Sequence, residues 1–272
     1  MGRTALVTPA SRRGAAGVLR PLFLFAAGVA AWELSVRAMG IPPFILPAPS
    51  RIAVELAGRH ALLRAHAAVT FGEVLLGFAL GAVAGFVLAV LMDSWPSLRQ
   101  AAMPWLVASQ AVPVFAVAPL LVLWLGYGWA SKVAMASIIT FFPVTINVLD
   151  GLRPDPDASR LFVALGASRW QILRLLKLPG ALPGLLSGLK VAASVATIAA
   201  VIGEWVGAQA GLGYLMMQAN AQLRVPLVFA ALVWLAAMGL LLYGLIALVE
   251  RRVSWRAAGS EPAGRVDRPR PV

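Results

Sequence analysis

Long apolar runs separated by short polar stretches set the pattern of this chain. A helix rising 1.5 Å per residue needs about 20 apolar residues, give or take a few, to cross the hydrocarbon of a bilayer. Six segments qualify: Leu19–Met39, Val69–Met92, Leu106–Leu125, Val133–Leu149, Leu185–Val206 and Pro226–Val249. Between the fourth and fifth lies a stretch of another kind, "LFVALGASRWQILRLLKLPGALP" (Leu161 to Pro183), with cationic side chains, a glycine in mid-course and a Leu-Pro near its end. Cations are costly inside lipid, so this stretch predicts a loop outside the bilayer.

The loop parses as two short helices at an angle. Pro156 suits a first helical turn, with Asp155 or Asp157 beside the positive end of the helix dipole. Leu161, Phe162 and Leu165 then share a face. Gly166 supplies the residue that can leave the helix with positive φ. Ser168 restarts the helix, and Gln171 three residues on completes an S-x-x-Q capping box. Arg174 and Lys177 share one face, while Ile172, Leu175, Leu176 and Leu178 make a broad apolar surface. Pro179 is expected to stop the run before the next span. Local pattern leaves two uses open: an interfacial helix on acidic headgroups, or a docking knob for a soluble partner.

Composition narrows the class. The 272 residues are 60% hydrophobic and only 12% charged, with a mean hydropathy of +0.84; a soluble domain carries about a quarter charged residues. The expectation is an all-α membrane protein with one six-helix domain over 18–252, a loop at about 150–183, a basic tail over 1–17 and an Arg/Pro-rich tail over 253–272. The net charge of +12 could signal nucleic acid, but arginines at membrane edges explain it. With both termini on one side, sixteen of the 23 Lys and Arg fall on that side, six (Arg37, Arg51, Arg59, Arg64, Lys132 and Arg224) fall in the aqueous segments opposite, and Lys190 lies in a span. The positive-inside rule makes that side, and the loop, cytoplasmic. The arginine-rich start and "GVAAW" (Gly28 to Trp32) resemble a signal peptide, yet the apolar run is long for one.

Candidate chemistry is sparse. The chain has no cysteine, which excludes disulfides, thiolate catalysis and Cys-based metal sites. His60 and His66 read as ordinary loop histidines, and no metal site is expected. No G-x-x-x-x-G-K-[ST] phosphate cradle exists, since Lys190 follows Leu189 in an apolar span. No catalytic residues and no enzyme activity are expected. Within the spans, Gly77, Gly81 and Gly85 make a stripe for close helix packing, with a sliding lining helix as the alternative. Pro113, Pro119 and Pro143 interrupt hydrogen bonding in the third and fourth spans. Glu73, Lys190 and Glu204 are ionisable groups near span ends, where Lys190 can snorkel and Glu204 can reach the outer interface. Glu204 and Trp205, in "GEWVG" (Gly203 to Gly207), are the candidate pathway residues; Trp205 could stack on a flat ring or sit as an interfacial tryptophan.

Gly166, nine residues, Leu176, one residue, then Leu178-Pro179 resembles the G-x9-I-x-L-P signature of permease subunits of bacterial ABC importers, and "LGASRWQI" (Leu165 to Ile172) is close to that family's wording. The resemblance implies a six-helix bundle of the type I importer kind in the bacterial inner membrane. It implies a coupling loop of Leu165, Gly166, Ala167, Ser168, Arg169, Gln171, Leu176, Leu178 and Pro179, seated on an ABC ATPase subunit. It implies no cofactor in this chain, with ATP and Mg on the partner ATPase. An extracytoplasmic binding protein, a second permease copy and membrane lipid are the other implied partners, and nucleic acid is not one. Where the family often has Glu-Ala-Ala before the glycine, this chain has Arg160, Leu161 and Phe162, which reverses one charge.

The likeness covers about Ile45 to Arg252. "LPAPSRI" (Leu46 to Ile52) and "VPVFAVAPLLVLWLGYG" (Val112 to Gly128) resemble the nitrate/sulfonate/taurine branch. "FFPVTINVLDGL" (Phe141 to Leu152), "SGLKVAASVATIAAVIGEWVGA" (Ser187 to Ala208) and "GLGYLMMQANAQL" (Gly211 to Leu223) look more like permeases for thiamine-pyrimidine precursors. The implied solute is a small pyrimidine, with sulfonate, taurine, nitrate or riboflavin as alternatives, moved by alternating access. A self-sufficient channel or secondary carrier would call for mid-membrane ionisable residues and related halves, and neither is evident.

Overall fold

The computed structural model describes residues 16–258, with side chains over 20–252. Most of the two expected tails, at 1–15 and 259–272, lies outside the described residues. The described chain is helical throughout: α1 (Ala16–Ala38), α2 (Pro49–Gly58), α3 (His60–Ser94), α4 (Pro96–Ala111), α5 (Val114–Leu125), α6 (Trp129–Gly151), α7 (Pro156–Ala164), α8 (Arg169–Ile172), a π-turn (Leu173–Lys177), α9 (Leu178–Gly207), α10 (Leu212–Ala221) and α11 (Val225–Ala258). Five of the spans are long and apolar enough to cross a bilayer unbroken, and α4 with α5 is long and apolar enough only as a pair, bent by 101° at the break.

That bend corrects the expected single helix over Leu106–Leu125. Pro113 has no N–H to continue the ladder, and it pushes the preceding residue out of the helical region. Val112 accordingly sits extended, at φ −78° and ψ 120°. Pro143, by contrast, leaves α6 continuous. The side-chain amide of Asn147 donates to the Pro143 carbonyl at 2.7 Å.

The core is a stack of three helices, with α6 between α3 and α9. Helices pack closely in lipid where small residues let backbones meet. The Gly77, Gly81 and Gly85 stripe of α3 does this against α6. A Cβ at Gly77 would strike Ala136, one at Gly81 would strike Thr140, and one at Gly85 would lie 2.7 Å from the Phe141 carbonyl. On the other side of α6, a Cβ at Gly184 of α9 would lie 2.5 Å from the Asn147 carbonyl and one at Gly188 3.0 Å from the Pro143 carbonyl. Leu149, Val148, Val144, Met92 and Ala181 fill the loop end of this stack, and Leu173 closes it. Hydroxyls knit α6 to α3, with Ser137 donating to the Gly77 carbonyl at 3.1 Å. In contrast, α1 keeps its Leu22, Phe23, Leu24 and Phe25 exposed.

Candidate functional site

The loop after α6 folds by local hydrogen bonding. The Asp155 carboxylate accepts from the Asp157 N–H at 3.0 Å and starts α7, with Pro156 in the first turn. At the other end the Ala167 N–H reaches the Phe162 carbonyl and the Gly166 N–H reaches Val163, each at 3.0 Å. This is a Schellman ending, which requires left-handed backbone after the helix. Gly166 supplies it at φ +77°. The capping box then starts α8: Ser168 N–H donates to the Gln171 side chain at 2.7 Å, and Gln171 N–H donates to the Ser168 hydroxyl at 3.3 Å.

The resulting corner projects. A Cβ on Gly166 would meet nothing within 4 Å. Leu161, Val163, Leu165, Trp170 and Leu175 are all exposed around it. Arg160, which stands where the family often has a Glu, pairs with Asp157 three residues before it, at 3.2 Å and largely in solvent. Such a pair adds little.

Pro179 does not stop the run. From Arg169 the helix continues through the π-turn into α9, one helix of 39 residues ending at Gly207. A proline ring clashes with the carbonyl four residues back in a regular helix. Here the preceding turn is widened, with the Leu178 N–H bonded to the carbonyl of Leu173, five residues back. Lys177 leaves this widened turn and donates to both carboxylate oxygens of Asp93, at 2.8 and 3.0 Å. Further up α9, Lys190 pairs with Glu250 of α11 at 2.7 and 2.8 Å.

At the far end of the bundle, Glu204 does not reach out of the protein. It is fully buried, and it holds α10 in place. One carboxyl oxygen accepts from the Gly213 N–H at 2.5 Å and the Tyr214 N–H at 3.3 Å; the other accepts from the Thr70 hydroxyl at 2.6 Å. Thr70 in turn accepts from the Leu212 N–H at 2.8 Å, and His66 Nδ1 accepts from the Gly211 N–H at 3.0 Å. Exposed N–H groups at a helix start attract an anionic or polar acceptor, and Glu204, Thr70 and His66 satisfy four in succession. Gly211 makes this possible. It sits at φ +115°, and a Cβ there would collide with the Glu204 carboxyl. His60 and His66 are therefore helical, not loop, residues. His60 Nδ1 lies 3.0 Å from the Ala57 carbonyl, and the His66 ring stacks near Tyr214.

Lys132, counted among the aqueous cations by sequence, is another correction. It is buried at the start of α6, 3.7 Å from the equally buried Glu73. Neither pair partner could be recognised from one span alone, because each gains its partner from another helix.

Trp205 points away from this cluster. It lines a cavity of about 970 Å³ between α9 and α11, with Phe115 from α5 and Met216 from α10 also in the wall. Tyr243 is the third aromatic there, and Ser194 and Thr197 contribute hydroxyls. None of the lining residues is charged, and Glu204 is not among them. The structure thus separates the two candidate pathway residues, Glu204 into the packing and Trp205 onto the cavity.

Comparison with known proteins places these features. Residues 77–255 match the model of the family described as the binding-protein-dependent transport system inner membrane component. A probable ABC transporter permease of Haemophilus influenzae is 43% identical, over 88% of this chain and 98% of that one. A riboflavin transport system permease of Chloroflexus aurantiacus is 41% identical over 84% and 86%. A formylaminopyrimidine transport permease of Halalkalibacterium halodurans is 38% identical over 88% and 96%. The fold is that of a solved amino acid ABC transporter chain, with a TM-score of 0.59 at 19% identity over 73% and 97%. A helical chain with apolar spans, an exposed Gly166 corner and this degree of likeness belongs to the inner-membrane permease family of binding-protein-dependent ABC transporters.

Proposed function

We propose that this permease is the passive half of an ATP-driven importer for a small, flat nitrogen heterocycle, a pyrimidine first and riboflavin second. The loop end faces the cytoplasm, where the Lys and Arg residues concentrate. The Gly166 corner docks on a separate ATPase that carries ATP and Mg; exposed apolar side chains beside charged ones suit a protein groove better than open solvent. A binding protein delivers solute to the opposite face, and a second copy of the chain completes the path. The docking corner, the surrounding loop and the bundle then switch together between outward and inward states.

The charge-free lining of the cavity carries the solute class. A sulfonate or taurine would be expected to meet a fixed cation or a helix N-terminus. Lys132 and Lys190 are each committed to a carboxylate elsewhere. Aromatic walls with three hydroxyl-bearing side chains, Ser194, Thr197 and Tyr243, suit a neutral ring that stacks and makes few hydrogen bonds. The relatives named for formylaminopyrimidine and riboflavin lie at 38% and 41% identity, against 31% for a taurine permease.

Proteoliposomes test this reading. The chain reconstituted with its ATPase and binding protein should take up labelled formylaminopyrimidine or riboflavin only with ATP, and taurine poorly. Uptake by the chain alone would refute the subunit reading, and preferred uptake of taurine would refute the solute class.

A further inference from the structure

The 39-residue helix from Arg169 to Gly207 spans about 58 Å at 1.5 Å per residue. It reaches from the Gly166 corner to the cluster that holds α10. A rod transmits displacement only where it does not bend and only to helices fixed to it. The π-turn at Leu173–Lys177 interrupts the regular ladder and gives the rod a place to flex.

Lys177 lies in that turn, and its bond to Asp93 ties the turn to the last residues of α3. The pair joins residues 84 apart, and the side chains are only 24% and 13% exposed. It differs from the solvent-exposed Arg153–Asp150 and Arg160–Asp157 pairs, which join residues of the same local stretch. At the far end the Thr70–Glu204 bond ties the same two helices again. Since Asp93 meets Lys177 and Thr70 meets Glu204, α3 and α9 run antiparallel and are fastened near both ends. The glycine contacts hold α6 between them.

Resting on the importer reading above, we infer that the Lys177–Asp93 pair is a strut. It braces the soft turn and carries displacement of the coupling corner into α3, so that α3, α6 and α9 swing as one body. Lys177 and Asp93 are positioning residues. Without the strut, the π-turn flexes and the corner moves while the bundle does not follow.

The test uses the assembled importer in proteoliposomes. Asp93→Asn and Lys177→Met should keep hydrolysing ATP while uptake of formylaminopyrimidine or riboflavin per ATP falls by about two- to thirtyfold, the range for coupling residues outside either ligand site. The charge-swapped double variant, Asp93→Lys with Lys177→Asp, should recover most of the loss. Unchanged coupling in both single variants, or no recovery in the swap, overturns the strut.

A second readout needs no solute. The chain has no cysteine, so labelling it before assembly puts spin labels only at Ser94→Cys and Leu175→Cys, and the shortest distance between labels reports α3 against the π-turn within one copy. Their separation should stay fixed between nucleotide-free and ATP-trapped importer, and should spread in Asp93→Asn. A separation that changes with nucleotide in the otherwise native chain, or that Asp93→Asn leaves sharp, also overturns it. If the unmodified importer takes up neither solute, the solute class fails while the spin-label distances still decide the strut.

Discussion

Replacing Glu204 distinguishes a pathway residue from a structural hub, and the geometry sets different costs for two substitutions. One carboxyl oxygen takes both the Gly213 and Tyr214 N–H groups, and the other takes the Thr70 hydroxyl. Glu204→Ala removes both acceptors from a site with no water access. Thr70 can turn back to the His66 carbonyl, already 3.3 Å away. The two backbone donors cannot turn, because α10 fixes them. Each buried orphan donor costs about 1–3 kcal/mol, so the loss is about 2–6 kcal/mol, before any cavity contribution. Glu204→Gln behaves differently. Its carbonyl oxygen can replace the acceptor of Gly213 and Tyr214, and its amide can donate to Thr70, which then donates to His66. The extra strength of a carboxylate acceptor is lost, about 1 kcal/mol, and the second amide N–H is the one new donor the site must satisfy. Thermal unfolding of the purified chain in detergent, with hydrogen exchange of the α10 amides, measures both. The alanine variant should unfold far earlier and lose protection in α10, while the glutamine variant stays near the parent in stability and in uptake. Equal stability of all three chains, with uptake lost in the glutamine variant, would refute the hub and restore Glu204 to the solute path.

Three further outcomes follow from other sites. Gly81→Leu drives a side chain into Thr140 and the Ser137 carbonyl; overpacking of this kind costs about 1–3 kcal/mol or more, and steric-trap unfolding in bicelles should report it, whereas Gly244→Leu, with open space around it, should be tolerated. Gly166→Val meets no neighbour but forces a β-branched residue into left-handed backbone at about 1–3 kcal/mol of local strain; the bundle should stay folded while ATP hydrolysis uncouples from uptake. Trp205→Ala removes an aromatic wall from the cavity, and a lost stacking contact of about 0.5–1.5 kcal/mol, or about two- to tenfold, should raise the solute concentration for half-maximal uptake without changing the unfolding temperature.

The chain's local order was legible from its residues. Apolar length located the spans, and the corner at Gly166 followed from its immediate neighbours: Asp155 and Pro156 start α7, Gly166 ends it, and Ser168 with Gln171 start α8. Every bond in that corner joins residues within five positions of one another, so composition and spacing suffice to specify it. The glycine stripe also declared a close contact, though not that α6 supplies the opposite face. Part of what failed was local: Pro113 breaks its span, and a widened turn carries the helix through Pro179. The rest failed over partners, since Lys132 looked like an aqueous cation and Glu204 like a group reaching for the interface.

Tertiary structure decided those positions. Inside an apolar bundle a polar group must find a partner, because lipid offers none, and the partner comes from whichever helix lies alongside. Glu204 finds Thr70 across 134 residues, and Lys177 finds Asp93 across 84. No periodicity or local spacing encodes such a distance. The sequence determined where the apolar segments and the one bent polar loop would form, since those rest on local hydrogen bonding and on hydrophobic length. Only the packing of α3, α6 and α9 determined which buried charges hold the bundle together and which face remains open as a cavity, since both depend on which helices become neighbours.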